Sequence, residues 1–120
     1  EMLSAMLLPN GDIPCGVADL TEEIEMEGQF DIVVCKDVLP YIPTELEQMA
    51  ISNLAKLSGR FIVLSWEVSE EMSELPHRQI SEEEILDLMK KEQFGQEKYM
   101  TANLRVLLNR KNCCVLVRQA

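Results

Sequence analysis

The sequence predicts an α/β fold: a doubly wound, mostly parallel sheet with an antiparallel hairpin at its C-terminal end. Three observations carry this expectation. Strand-like and helix-like segments alternate along the chain, the pattern of βαβ units. The strongest strands, Phe30 to Cys35 and Phe61 to Trp66, carry unbroken apolar runs, as expected where helices cover both faces of a parallel sheet. Amphipathic segments follow them, opened by residues at capping-box spacing, Thr44 with Glu47 and Ser81 with Glu84.

Taken in order, Met2 to Leu8 reads as the end of a helix, stopped by Pro9-Asn10-Gly11-Asp12. Cys15 to Leu20 reads as a short strand, and Thr21 to Met26 as a helical turn or loop ended by Gly28. Phe30 to Cys35 is the first strong strand; its consecutive β-branched residues imply burial on both faces. Leu46, Met49, Ala50, Leu54 and Leu57 then recur at helical spacing behind the Thr44 cap, and Ser58-Gly59 supplies a left-handed stop. After the Phe61 strand, Glu67 to Arg78 is polar, irregular and broken by Pro76, so a loop is expected. The helix after Ser81 places Ile85, Leu88 and Met89 inward. Its Glu82-Glu83-Glu84 start and Lys90-Lys91 end match the helix dipole, and Phe94-Gly95 closes it. Leu104 to Asn109 and Cys113 to Arg118 are predicted as strands, antiparallel because Asn109-Arg110-Lys111-Asn112 is too short for a parallel return.

A chain of 120 residues with 47% hydrophobic content makes one domain, residues 1–120, with its own core. The net charge of -10 weighs against nucleic acid as a partner, which would need a basic patch. The same charge argues against an anionic membrane surface, and no apolar run has transmembrane length. Cys15, Cys35, Cys113 and Cys114 form no CxxC pair and His77 is the sole histidine. Buried, reduced thiols in the cytoplasm are expected in preference to a disulfide or metal role.

In open α/β sheets ligands bind beyond the carboxyl ends of the strands. That rule selects Asp19-Leu20, then Cys35-Lys36-Asp37-Val38-Leu39, then Ser65-Trp66-Glu67. Asp19 suits an adenine amino group, and Lys36 and Asp37 stand where a loop could close over a substrate. The plainer reading of each charge is a helix cap or a solvated loop, and of Trp66 a core residue. His77, in Pro-His-Arg, reads as a surface residue.

Phe30 to Pro43, Phe-Asp-Ile-Val-Val-Cys-Lys-Asp-Val-Leu-Pro-Tyr-Ile-Pro, resembles the fourth strand and following loop of class I S-adenosylmethionine-dependent methyltransferases. Val17-Ala18-Asp19-Leu20-Thr21 is similar to their third strand, Phe61 to Trp66 to their fifth, and the terminal hairpin to their last two. The resemblance implies a Rossmann-like methyltransferase fold with S-adenosyl-L-methionine as cofactor and a small-molecule acceptor. It implies cofactor contacts from Asp19, Leu20, Cys35 and Lys36, with Asp37 as the catalytic residue near the transferring methyl. Tyr41 and Trp66 would line the substrate pocket. The stretch from Ile51 to Trp66 also resembles a group of methyltransferase-like proteins in which a loop containing Gly-His follows the Ser-Trp strand. Here Glu67 to His77 holds acids and no glycine, so that loop's substrate role is not carried over.

The family's first strand ends in a Gly-rich turn and its second in a ribose-binding acid. All five glycines here are isolated, and no Gly-x-Gly occurs. The sequence therefore reads as a partial domain entered within a helix at Glu1, short by about 50 residues at ~30 per βαβ unit. An open sheet edge would then call for a protein partner or an oligomer. The rival readings are a catalytically inactive methyltransferase-like scaffold module and an unrelated doubly wound nucleotide-binding domain.

Overall fold

The computed structural model describes residues 2–4, 17–24 and 30–119. Its elements are β1 (Met2–Ser4), β2 (Val17–Asp19), β3 (Phe30–Lys36), α1 (Glu47–Leu57), β4 (Ser58–Ser65), α2 (Glu82–Lys91), β5 (Phe94–Gln96), α3 (Lys98–Leu108) and β6 (Cys113–Arg118). Short 3-10 turns cover Leu39–Tyr41, Thr44–Leu46 and Glu70–Met72.

The main sheet has the order β3-β4-β6-β5. β3 and β4 run parallel, joined through α1. β6 is antiparallel to β4, and β5 antiparallel to β6. Val33, Cys35, Ile62, Leu64, Cys114 and Leu116 share one face by register and are buried there. Ala50, Ile51 and Leu54 of α1 and Ile85 and Met89 of α2 complete that core. α3 lies on the opposite face, held by Thr101, whose Oγ1 accepts from Val115 N–H at 2.9 Å and donates to Val115 O at 3.3 Å. Helices on both faces make the fold doubly wound.

The capping box at α2 is present: Ser81 Oγ accepts from Glu84 N–H, and Glu84 answers the Ser81 N–H. Several other expectations are corrected. Leu104 to Asn109 is not a strand. It completes α3, whose first N–H groups donate to the Glu97 carboxylate and whose end is the left-handed Asn109, φ 52°. So short a segment carries no periodicity that separates strand from helix, and the cap on one side and the left-handed stop on the other decide it. The partner of β6 at the sheet's end is therefore β5, reached through α3 and not through a hairpin.

The box expected at Thr44 and Glu47 is absent. Thr44 opens a 3-10 turn, and Leu46 precedes α1 with no side-chain cap. The buried Glu47 carboxylate is instead taken by Arg78, a pairing that outcompetes a local cap. Ser58 leaves α1 in an extended conformation, φ -96°, and directly begins β4, so no left-handed stop forms. β3 is not buried on both faces: Val33 and Cys35 are, while Ile32 is 55% and Val34 62% exposed. Met2–Ser4 is a strand and not a helix end; it pairs antiparallel with β2, outside the main sheet. The turn expected at Pro9 to Asp12, the start of the first strand at Cys15 and the stop at Gly28 lie outside the described residues.

Candidate functional site

Parallel strands β3 and β4 end side by side, Lys36 opposite Ser65. Asp37 follows at φ 55°, a left-handed conformation that a short polar side chain tolerates. Its N–H donates to Ser65 O at 2.9 Å and lies 3.2 Å from Ser65 Oγ, which ties the turn to β4. Its Oδ1 accepts from Glu67 N–H at 2.9 Å and from Arg110 Nη2 at 2.7 Å. Arg110 also stands 3.2 Å from the Glu67 carboxylate. Burial alone would raise the Asp37 pKa, but the Glu67 N–H, Arg110 and Ser65 together hold it below the ordinary carboxylate value. Two carboxylates, Asp37 and Glu67, thus share one guanidinium, with Lys36 beside them in the chain.

Cys35 is buried beside this turn, and burial, then the Asp37 charge, pushes its thiol up to about 12. Lys36 is exposed. Cys35, Lys36, Ser65, Leu104, Leu108 and Arg110 are among the walls of a cavity of about 230 Å³ between the strand ends and α3. Leu20 is buried in the core just after β2. Its carbonyl and that of Glu22 accept from Asn53 Nδ2 at 2.7 and 2.6 Å, which fixes the end of β2 against α1. Asp19 ends β2, and its side chain lies outside the described ones. Trp66 is only 4% exposed and belongs to the core, its N–H donating to Asn112 O at 3.0 Å, so it forms a wall behind the site and not a cleft surface.

Tyr41 lines a second cleft, of about 270 Å³, with Pro40, Pro43, Pro76, His77 and Arg78. Its ring meets the His77 ring edge-on, centroids 6.1 Å apart, and its hydroxyl is buried without a partner. His77 Nδ1 lies 2.7 Å from Leu75 O. The two walls are tied by Arg78 N–H to Pro40 O at 3.0 Å. Arg78 Nε and Nη2 each reach the Glu47 carboxylate at 2.8 Å, and Nη2 reaches Glu84 at 2.9 Å.

The structure thus brings Cys35, Lys36 and Asp37 to one sheet end, sets Leu20 on the α1 side, and puts Tyr41 in a neighbouring cleft. Sequence reasoning passed over Arg110 and Asn53; His77 is exposed, as expected, and edges the Tyr41 cleft. Asn53 was readable as a lone amide within the apolar stripe of α1. Arg110 sat in a turn where a cation is ordinary, and nothing local marked it. Among the described residues no group of three His, Cys, Asp or Glu is placed to hold a metal ion, and no helix is long and apolar enough to cross a membrane.

No protein-family model matches the chain. A segment of 48 residues, 39% of the chain, is 40% identical to the magnesium-protoporphyrin O-methyltransferase of Synechocystis sp. (strain ATCC 27184 / PCC 6803 / Kazusa), covering 21% of that protein. Two crystal structures of magnesium protoporphyrin IX methyltransferase from Synechocystis PCC 6803 match 84% of the chain. The one with bound S-adenosylhomocysteine (SAH) gives a TM-score of 0.57 at 21% identity. The one with bound S-adenosylmethionine (SAM) gives 0.55 at 25%. The chain spans 49% and 43% of those two structures.

Proposed function

We propose that this chain, whose fold is that of class I S-adenosylmethionine-dependent methyltransferases, belongs to an enzyme that moves a methyl group from S-adenosylmethionine to a small-molecule acceptor. The observation that carries this reading is the match of 84% of the chain to a methyltransferase with SAM bound. The residues at the sheet end suit such a cofactor. The apolar part of the cavity beside Cys35 favours a ring system, and the ionised Asp37 offers a negative charge at its edge.

The bound cofactor would supply an already activated methyl group. The chain's task is alignment and exclusion of water. Asp19 and Leu20 at the end of β2, with Cys35 and Lys36 at the end of β3, would hold it. Asp37, kept ionised by its donors, acts as a fixed negative charge near the transferring methyl and not as a proton acceptor. Tyr41 lines the acceptor side, and Trp66 supports it from the core. We place the protein in the cytoplasm, where buried thiols such as Cys35, Cys113 and Cys114 stay reduced. A protein partner or second copy would sit at β3, which ends the described sheet with an exposed apolar side. Nucleic acid and membrane are not partners in this reading, given the charge of -10.

Calorimetric titration of the protein carrying this chain with S-adenosylmethionine tests the reading. Binding is expected, weakened by Asp19→Ala. No heat and no thermal shift at millimolar cofactor would sink it, and would leave a scaffold module in its place.

A further inference from the structure

We infer that the outward face of α3 is a contact between two copies of this chain, packed antiparallel about a two-fold axis that passes between Ala102 and Asn103. The helix has 11 residues, and its two sides differ in what covers them. Thr101 is buried against β6, and Leu104 and Leu108 line the cavity between the helix and the strand ends. The opposite side carries Tyr99, Ala102 and Val106, a second apolar stripe at helical spacing, with Asn103 in its middle. Among the described residues nothing lies over it: Tyr99 is 77% exposed and Val106 80%. A helix that is apolar on both sides is expected to be covered on both.

Charge selects the occupant. The chain has a net charge of -10, so two copies repel over most of their surfaces. From Lys98 to Ala120 the sequence holds no Asp or Glu, the longest acid-free stretch in the chain. Two copies can therefore meet at α3 without opposing carboxylates. Most cations of that stretch are spent inside the chain. Arg105 pairs with Glu82, Arg110 with Asp37, and Arg118 donates to the Ala55 and Ser58 carbonyls. Lys98 and Lys111 remain, one towards each end of the helix, and the exposed middle is uncharged. A parallel pair would set Lys98 against Lys98 and align the two helix dipoles. The antiparallel pair brings Lys98 to the other helix's C-terminal carbonyls. It also brings the Glu97 carboxylate, which caps the N-terminus, towards the partner's Lys111.

The stripe is self-complementary, as a two-fold contact requires. With the axis between Ala102 and Asn103, Tyr99 packs on the partner's Val106 and Val106 on the partner's Tyr99. Ala102, the smallest side chain of the stripe, falls at the crossing and lets the helices approach. Asn103 flanks the axis, where its amide can bond the partner's Asn103, a polar pair that fixes register. Thr101 holds α3 on the sheet face where Ile32 and Val34 are exposed, so a copy seated on α3 lies on that same apolar side. Two 11-residue helices bury less than a standard interface, so a Kd on the order of 10–100 µM is expected.

Sedimentation equilibrium of the protein carrying this chain should show a monomer–dimer equilibrium that tightens as salt screens the charge of -10. Val106→Glu should weaken it at least about tenfold, because each copy then buries an unpaired charge. The same variant should keep its thermal midpoint at concentrations where both proteins are monomeric, since Val106 is exposed. Asn103→Cys should give a covalent dimer with a short bismaleimide, beyond that of the unsubstituted protein. Lys111→Cys, far from the axis, should not. A monomer at concentrations well above the expected Kd would overturn the contact. So would a dimer indifferent to Val106→Glu, or cross-linking at position 111 in preference to 103. Two other coverings would also overturn it. An Asn103→Cys thiol shielded from maleimide in the monomer would mean that the polypeptide itself covers the face. A monomer that sediments with phosphatidylserine vesicles, and loses that with Val106→Glu, would mean a lipid surface. None of these readouts involves S-adenosylmethionine, so they stand apart from the methyl-transfer reading.

Discussion

Arg110 lies 73 residues after Asp37, yet its Nη2 rests 2.7 Å from the Asp37 carboxylate. With its 3.2 Å contact to Glu67, it clips the ends of β3 and β4 to the turn before β6. Arg110→Met should cost about 1.5–3 kcal/mol, the range for hydrogen bonds to charged groups, measured by urea unfolding.

The same pair sets a pH dependence. The folded Asp37 pKa lies below its unfolded value, so its contribution is present above about pH 4 and is lost as pH falls through the lower folded pKa. Asp37→Asn should flatten this acid limb. Parallel stability curves for the two proteins below pH 4 would contradict the ion pair.

Asn53→Leu keeps the side-chain shape and removes both donors to Leu20 O and Glu22 O. A loss of about 1–3 kcal/mol is expected from the unpaired carbonyls. The segment after β2 should become more open to limited proteolysis, and S-adenosylmethionine affinity should fall in the protein carrying this chain. Unaltered cleavage around Thr21 to Glu23 would argue that other contacts hold the segment.

Thr101→Val should loosen α3 from β6. The hydroxyl both accepts from and donates to Val115 in a buried position, so its removal should cost about 1–3 kcal/mol. Thr101→Ser, which keeps the hydroxyl, should recover most of that in thermal unfolding.

Thiol labelling tests the core. Burial pushes Cys35 and Cys114 up to about 12, so at neutral pH neither offers a thiolate. Both should react with iodoacetamide only at the rate of unfolding. Rapid labelling of either, with site identified by mass spectrometry, would show an open core.

How much of this was legible depended on the range of the deciding interaction. The cap of α2 could be read because Ser81 and Glu84 settle it between themselves. The cap of α1 could not, because the partner of Glu47 is Arg78, 31 residues away. β3 was legible as a strand, but not its half-open burial, since the run Ile32-Val33-Val34 does not say whether a second layer lies over Ile32 and Val34. α3 was misread because Val106 and Leu107, 80% and 81% exposed, carry apolar side chains where a surface helix usually carries polar ones.

The sequence by itself determined the α/β class, the position of β3, β4 and β6, the course of α2, and the sheet end where Asp37 sits. Those features rest on local hydrogen bonding and on side-chain periodicity within a short window. Only the tertiary structure decided that β5, and not a hairpin strand, pairs with β6. It alone brought Arg110 to Asp37, Asn53 to the end of β2, and His77 to Tyr41. Each of these joins groups far apart in the chain, and their energy appears only when packed elements exclude water around both partners.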